Sequence, residues 1–442
     1  MPEGTMTWER IEAMVADGTL RQVEVAWPDH QGVVRGKRIP AETFLGRARG
    51  EGFAFCDASL GWDFTGDVAD VALTGWGTGY PDFYGFPDPA TLRMLPWREG
   101  AAIAICDVRY PHADELVPTA PRSVLRAVCD RLAGQGYAAR VGVEIEFHLL
   151  RPDTLATATD GVQCYSLQKL NELDPAIDHI VDGLDALGIL AEGVNMEYGP
   201  GQVELNLRHL PPIEAADQAM LFKYAIKRLA REQGMLATCM AKPYNGIAGN
   251  SMHLHASLWK DGKPAFAPVG EREMNPLMSA FIGGALGHLP GITLYGAPTV
   301  NAYKRFEQGS FAPTTAVWGG DNRTVAVRAL VEEPRSSRVE LRTGGADANP
   351  YWAIASYLAA GLCGIAEGAD PGPRSEGNMY GVGPALPTVL IDAIRSARAD
   401  QAVRAILGEN ATGDFSLLCE CEWKAFITAV TEWDRERYLH LA

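Results

Sequence analysis

Four segments of the chain alternate apolar and polar residues with a period of two. In Arg140 to Leu149, Val141, Val143, Ile145, Phe147 and Leu149 share one face, while Glu144, Glu146 and His148 share the other. In Gly201 to His209, Val203, Leu205 and Leu207 oppose Gln202, Glu204, Asn206 and Arg208. In Ser251 to Trp259, Met252, Leu254, Ala256 and Leu258 oppose His253, His255, Ser257 and Trp259. In Ser337 to Arg342, Val339 and Leu341 oppose Arg338, Glu340 and Arg342. Each pattern predicts a strand with one face in a core. Another strand-like run covers Ala101 to Val108. Helical spacing predicts a helix after Pro121, with Thr119 as its N-cap and Gly134 and Gly136 as its stop. It predicts further helices over Pro212 to Gln233, Pro350 to Glu367, Pro387 to Ala399 and Leu417 to Leu439. Gly61 to Arg98 is rich in Gly, Pro, Asp and aromatic residues and reads as loops and short strands. The turn-like stretch from Tyr110 to Asp114 places a domain boundary near residue 112, giving units 1–112 and 113–442.

One alternating strand is what any antiparallel sheet with a wet face produces. Four polar faces reading Glu/Glu/His, Gln/Glu/Asn, His/His/Ser and Arg/Glu/Arg are a different matter. A merely solvated face favours Lys, Thr and Ser. These faces offer carboxylates and imidazoles to hard divalent metals, and arginines to phosphate or carboxylate. Side by side they would line one polar funnel, where close carboxylates repel unless cations neutralise them. The faces therefore predict bound Mg²⁺ or Mn²⁺ and, from the arginines beside the metals, phosphoryl transfer.

Composition narrows the remaining choices. The net charge of −16 argues against a nucleic-acid partner held by phosphate contacts and against docking on anionic lipid. No run of about 20 apolar residues suggests a membrane span, and Met1 to Arg10 does not look like a signal peptide. The eight cysteines show no zinc spacing and read as reduced thiols, so the expected location is cytoplasmic. There is no Walker A loop, no dinucleotide-binding glycine loop between a strand and a helix, and no nucleophile elbow.

Five ordered segments resemble the glutamine synthetase superfamily. They are Val143–Phe147, Asn195–Glu197 with Gly199–Glu204, Lys242–Pro243 running to Ser251–Leu258, Asn301–Arg305 running to Asn322–Arg323, and Arg338–Arg342 with Ala348–Tyr351. The resemblance spans about residues 10 to 442. It implies an α+β fold: a β-grasp-like N-terminal domain and an α/β catalytic domain with a curved, mainly antiparallel sheet. It implies ATP and Mg²⁺ (or Mn²⁺) as cofactors, and a homo-oligomer, a dodecamer of two hexameric rings, with sites shared between neighbouring subunits. Glu146, Glu197 and Glu204 would hold one metal, and Glu144, His253 and Glu340 the other. His255 and Ser257 would border the nucleotide, with Arg328 and Arg335 at its phosphates. Arg305 would grip the α-carboxylate of glutamate and Arg342 its side-chain carboxylate. Gly249 would meet the substrate amino group through its backbone. Arg323, Arg328 and Arg335 would neutralise the transferring phosphoryl group. The implied reaction turns the side-chain carboxylate of glutamate into an acyl phosphate, which an amine then attacks.

Two departures from the family pattern stand out, the first bearing on that amine and the second on glutamate binding. Glutamine synthetases carry a glutamate directly before Ala-Pro in the segment after the Tyr-Lys-Arg motif, and it helps bind ammonium and takes its proton. Here Phe311 precedes Ala312-Pro313, and a phenyl ring can do neither by charge. Ala248 replaces an Asn near the glutamate site. The family's other ammonium-site carboxylate is kept as Asp57, on a loop that serves a neighbouring subunit. The expected activity is ligation of glutamate to an organic amine, a monoamine or arylamine resting on Phe311 and Trp318. The rivals are an ordinary ammonia-using glutamine synthetase and a non-catalytic member of the superfamily. Tyr380 lies near the position adenylylated in some bacterial members, but the acidic residues after it are missing, so no adenylylation is expected.

Overall fold

The computed structural model describes residues 6–162 and 164–441. The N-terminal sheet contains β1 (Gln22–Pro28), β2 (Val34–Pro40), β3 (Phe53–Cys56), β4 (Asp82–Pro87), β5 (Arg93–Met94) and β6 (Ala101–Arg109). Its order is β2-β1-β6-β4-β3, with β5 on β6, and the central pair β1/β6 is parallel. The helices Trp8–Ala16 and Ala41–Ala48 pack on it around Trp27, Phe44, Phe53 and Phe83.

The second sheet holds β7 (Ala138–Leu150), β8 (Ala191–Met196), β9 (Gln202–Leu210), β10 (Leu236–Thr238), β11 (Met252–Lys260), β12 (Lys263–Pro264), β13 (Trp318–Gly319), β14 (Val327–Leu330) and β15 (Arg338–Leu341). Its main order is β13-β14-β15-β11-β7-β9-β8, and every pair but β13/β14 is antiparallel. This is the curled, mainly antiparallel α+β arrangement that the resemblance implied. Its apolar face is a core packed against helices Pro121–Gly134, Pro212–Glu232 and Pro350–Glu367. A proline opens each of these helices at the first turn, where its missing N–H costs nothing. Helices Pro276–Gly287 and Pro350–Glu367 approach backbone to backbone, and a Cβ on Gly284 would stand 2.5 Å from Gly364 Cα.

Three local expectations need correction. The helix at Pro121 is capped by Ala120, not Thr119, because Pro121 itself occupies the first turn; the Thr119 hydroxyl is buried and has no partner among the described residues. The helix expected from Pro387 starts at Leu390, because the Leu386 N–H is held by Thr314 O. The segment Leu417 to Leu439 is broken: one helix runs Glu409–Thr428, and Thr431 starts another, Glu432–Tyr438, with a capping box to Asp434. Among the described residues no single helix is long and apolar enough to cross a membrane.

Candidate active site

Antiparallel pairing aligns the polar faces rather than scattering them. Glu146 lies opposite Glu204, His253 opposite Glu144, and Glu340 opposite both His255 and Arg328. Two groups of side chains converge there. Glu144, His253 and Glu340 form one, and Glu146, Glu204 and His253 the other, each with ligand atoms within 4.8 Å of one another. His253 thus joins the two. Glu197, expected in the second group, stands off it: its carboxylate accepts from Asn195 Nδ2 at 3.1 Å and from the Tyr198 N–H at 3.2 Å.

The electrostatics split the cluster in two. Burial pushes Glu204 up to about 9, and the charges of Glu144, Glu146 and Glu197 add to the rise. Burial and Glu197 push Glu146 up to about 7. Burial also opposes charge on Glu144, but hydrogen bonds from His253 and His255 outweigh it and hold that carboxyl well below the usual range. For Glu340 burial is overcome by Arg342, the two histidines and Arg328, which bring it down to about 2. Burial and Arg342 lower His253, favouring the neutral imidazole that a metal needs. Its Nε2 is buried and has no hydrogen-bond partner among the described residues. Oxygen-rich groups around an orphaned imidazole nitrogen fit one or two hard divalent cations.

The arginines sit against this cluster. Arg342 reaches Glu340 at 2.6 Å, and Arg328 pairs with Glu340 and Asp321. The Nε–H groups of Arg328 and Arg342 are buried and have no partner among the described residues, which leaves donors for an anion. Arg305 is 1% exposed and is fixed by Ser251 Oγ at 2.8 Å and Thr343 O at 3.3 Å. Gly249 must be glycine for Arg305 to lie there: a Cβ would stand 2.6 Å from its Cγ and 2.4 Å from Ala241 O. Arg323 is exposed, with its charge felt at Cys164 and Tyr165. His255, Ser257 and Arg335 line a cleft of about 380 Å³ together with Arg140 and Arg338. Arg338 Nε donates to His255 Nδ1 at 3.3 Å, which leaves Nε2 of that ring 3.0 Å from Glu144.

Two expected residues, Asp57 and Trp318, fall elsewhere, and a third, Phe311, stays beside the cluster. Asp57 opens a short turn after β3, accepts from Thr74 Oγ1 at 2.7 Å, and makes no hydrogen bond to the strand-borne cluster among the described residues. Trp318 is buried in the core with its indole N–H on Gly372 O, so it cannot rest against a substrate. Phe311 is 37% exposed and close to the cluster: its carbonyl accepts from Arg342 at 3.3 Å, and its ring lies 5.2 Å from that of Tyr198. The structure adds a support that was not singled out: Gln202 Nε2 donates to Glu146 at 3.0 Å, to Gly249 O at 2.9 Å and to Asn250 at 3.1 Å. Its sequence signals are the face it shares with Glu204 and its place in the Gly199–Glu204 segment.

The sequence profile described as "Glutamine synthetase, catalytic domain" matches residues 118–438. The chain belongs to the glutamine synthetase family. Among its relatives is a gamma-glutamylethanolamide synthetase of Streptomyces coelicolor, 38% identical over 97% of this chain and 95% of that one. A glutamate–isopropylamine ligase of a Pseudomonas species is 33% identical over 98% of each chain. A solved GmaS/ADP complex superposes with a TM-score of 0.87 at 32% identity, covering 97% of this chain and 99% of that one. The paired strand faces described above lie within the matched glutamine synthetase domain.

Proposed function

We propose that this enzyme is an ATP-dependent ligase that joins the side-chain carboxylate of glutamate to a small organic amine through γ-glutamyl phosphate. The observation that carries the reading is Phe311, an apolar ring where ammonia-using members of the family place a carboxylate, beside the strand-borne carboxylates and histidine of the cluster. The relatives that ligate ethanolamine and isopropylamine support it.

Glu144, His253 and Glu340 would hold one divalent cation, and Glu146 and Glu204, joined by Glu197, the other. Mg²⁺ or Mn²⁺ there would neutralise the carboxylates and polarise phosphoryl oxygens. Arg305 binds the α-carboxylate of glutamate and Arg342 presents its free Nε–H to the reacting carboxylate. Gly249 faces the substrate amino group. Arg323 and Arg328 absorb charge on the transferring phosphoryl group, and His255, Ser257 and Arg335 border the nucleotide. Asp57 acts from a neighbouring subunit, in keeping with its lack of a hydrogen bond to the cluster among the described residues of one chain. Residues 1–112 thus serve as the unit that completes the neighbour's site, and 113–442 as the catalytic unit of a dodecamer. Light scattering showing an active monomer would refute the shared site.

The decisive assay is ATP-dependent phosphate release with glutamate and Mg²⁺ against ammonium, methylamine, isopropylamine, ethanolamine, putrescine, spermine and aniline. Turnover of one amine class well above ammonium is expected. Ammonium as the best substrate would make this an ordinary glutamine synthetase in which Asp57 or water deprotonates alone.

A further inference from the structure

Phe311 adopts a left-handed backbone conformation, with φ of 59°. A bulky side chain rarely occupies that region without support. Here the support is visible. The Phe311 N–H donates to the Tyr380 hydroxyl oxygen at 2.6 Å, and the Phe311 carbonyl accepts from Arg342 at 3.3 Å. On either side, Ser310 Oγ donates to Arg305 O at 2.9 Å and accepts from the Ala312 N–H at 3.3 Å. The segment around Tyr380 is itself laced to residues 315–324. Thr315 Oγ1 donates to Met379 O at 3.1 Å, the Met379 N–H donates to Thr324 Oγ1 at 3.1 Å, and Ala316 N–H donates to Pro384 O at 2.7 Å. The result fixes the ring: Phe311 lies 5.2 Å from Tyr198 at an interplanar angle of 38°. Tyr198 follows Glu197 directly and donates its N–H to the Glu197 carboxylate.

We propose that Tyr380 is a positioning residue for the amine acceptor: its phenol oxygen holds Phe311 in the left-handed conformation, so that the Phe311 and Tyr198 rings form one wall for the carbon substituent of a small monoamine. The inference rests on the reading of the site as an amine-ligase site. Its chemistry follows from the two rings. Each is more than a third exposed, offering apolar surface to an alkyl or aryl group and a π-face to the attached ammonium. Arg342 meets that wall only through the Phe311 carbonyl at 3.3 Å and is held separately by Glu340 at 2.6 Å, so a shift of Phe311 would loosen amine recognition before glutamate recognition.

The test is Tyr380→Phe, which removes one oxygen and keeps the ring. KM for the preferred amine should rise about fivefold, as expected for one neutral hydrogen bond. The preference for that amine over ammonium should fall by a similar factor, while KM for glutamate and for ATP stays within about twofold. Hydrogen exchange at the Phe311 amide should quicken. In a Phe311→Gly background the same change should add nothing, because glycine takes a positive φ unaided. An unchanged amine KM, or an equal rise in KM for all three substrates, would overturn the positioning role while leaving the ligase reading intact. A parent enzyme that prefers ammonium would overturn both.

Discussion

On the floor of the site, Glu146, Glu204, His253 and Glu340 stand on paired strands and are at most 8% exposed. At its mouth, Phe311 and Tyr198 stand on loops and are 37% and 45% exposed. The floor gathers like charges that burial penalises, and the sheet holds them together because its register leaves them nowhere else to point. The mouth carries no such charge and is fixed by single contacts such as Tyr380 to Phe311. On the proposed reading, reaction chemistry rests on rigid strands and substrate choice on loops, a division that lets one change without the other.

The largest expected effect is on the floor. Glu340 is fully buried between Arg328 and Arg342. Glu340→Ala should lower kcat by about a thousandfold or more, and the stranded arginines should cost about 3–5 kcal/mol of stability. Phosphate release and chemical denaturation check both; near-parent activity would mean the floor is not where the chemistry lies. Next comes the mouth. Phe311→Glu should shift the ratio of amine to ammonium kcat/KM toward ammonium by about a hundredfold, leaving the KM for ATP alone. A shift in all kinetic constants together would erase the division between the two regions. Glu204→Gln sharpens it from the other side. Removing one carboxylate from a repelling group should leave the metal-free protein as stable as the parent or more so. It should also shrink the gain in Tm on adding Mg²⁺, which for a site at a hundredfold excess over Kd corresponds to about 2.7 kcal/mol.

The smallest effect belongs to neither region and serves as a control. His288, between helices Pro276–Gly287 and Leu289–Gly296, meets Asp400 at 2.9 Å. Its hydrogen bond to Asp400 raises its pKa from 6.5 to about 10. A raised histidine contributes stability below its unfolded value that is lost as pH climbs through the folded one. The parent should therefore lose stability between pH 6.5 and 10, by about 1 kcal/mol for a partly solvated pair. His288→Gln should flatten that slope in melts at graded pH and leave amine preference untouched.

The floor was legible in the sequence because two regularities coincide there. Alternation with period two marks a strand, and the residues on its polar side declare their chemistry. The expected strand Arg140 to Leu149 is found as Ala138–Leu150, with Glu144 and Glu146 on the face opposite Val143 and Ile145. What alternation does not reveal is pairing: that His253 would serve both carboxylate groups depends on β11 lying beside β7. The mouth was only half legible. Phe311 stood out by its neighbours in the chain, but Tyr380 lies 69 residues away and its contact is set by the tertiary fold. Trp318 misled for the same reason: an aromatic residue near Phe311 in sequence turns out to belong to the core. The helix expected over Leu417 to Leu439 failed locally, since apolar spacing continued through Val430 while Thr431 and Asp434 supplied a new start.

The alignment of Glu146 with Glu204 and of His253 with Glu144 also bears on how such a gene can vary. Losing or gaining a single codon within β7 would swap that strand's two faces, driving Glu144 and Glu146 into the packed interior and carrying Val143 and Ile145 into the funnel. No second substitution nearby could undo it. The loops bearing Tyr198, Phe311 and Tyr380 are under no such constraint. On the proposed reading of those loops, descendants of one gene can acquire new amine acceptors by point substitutions and length changes there, while the lengths of these strands stay frozen.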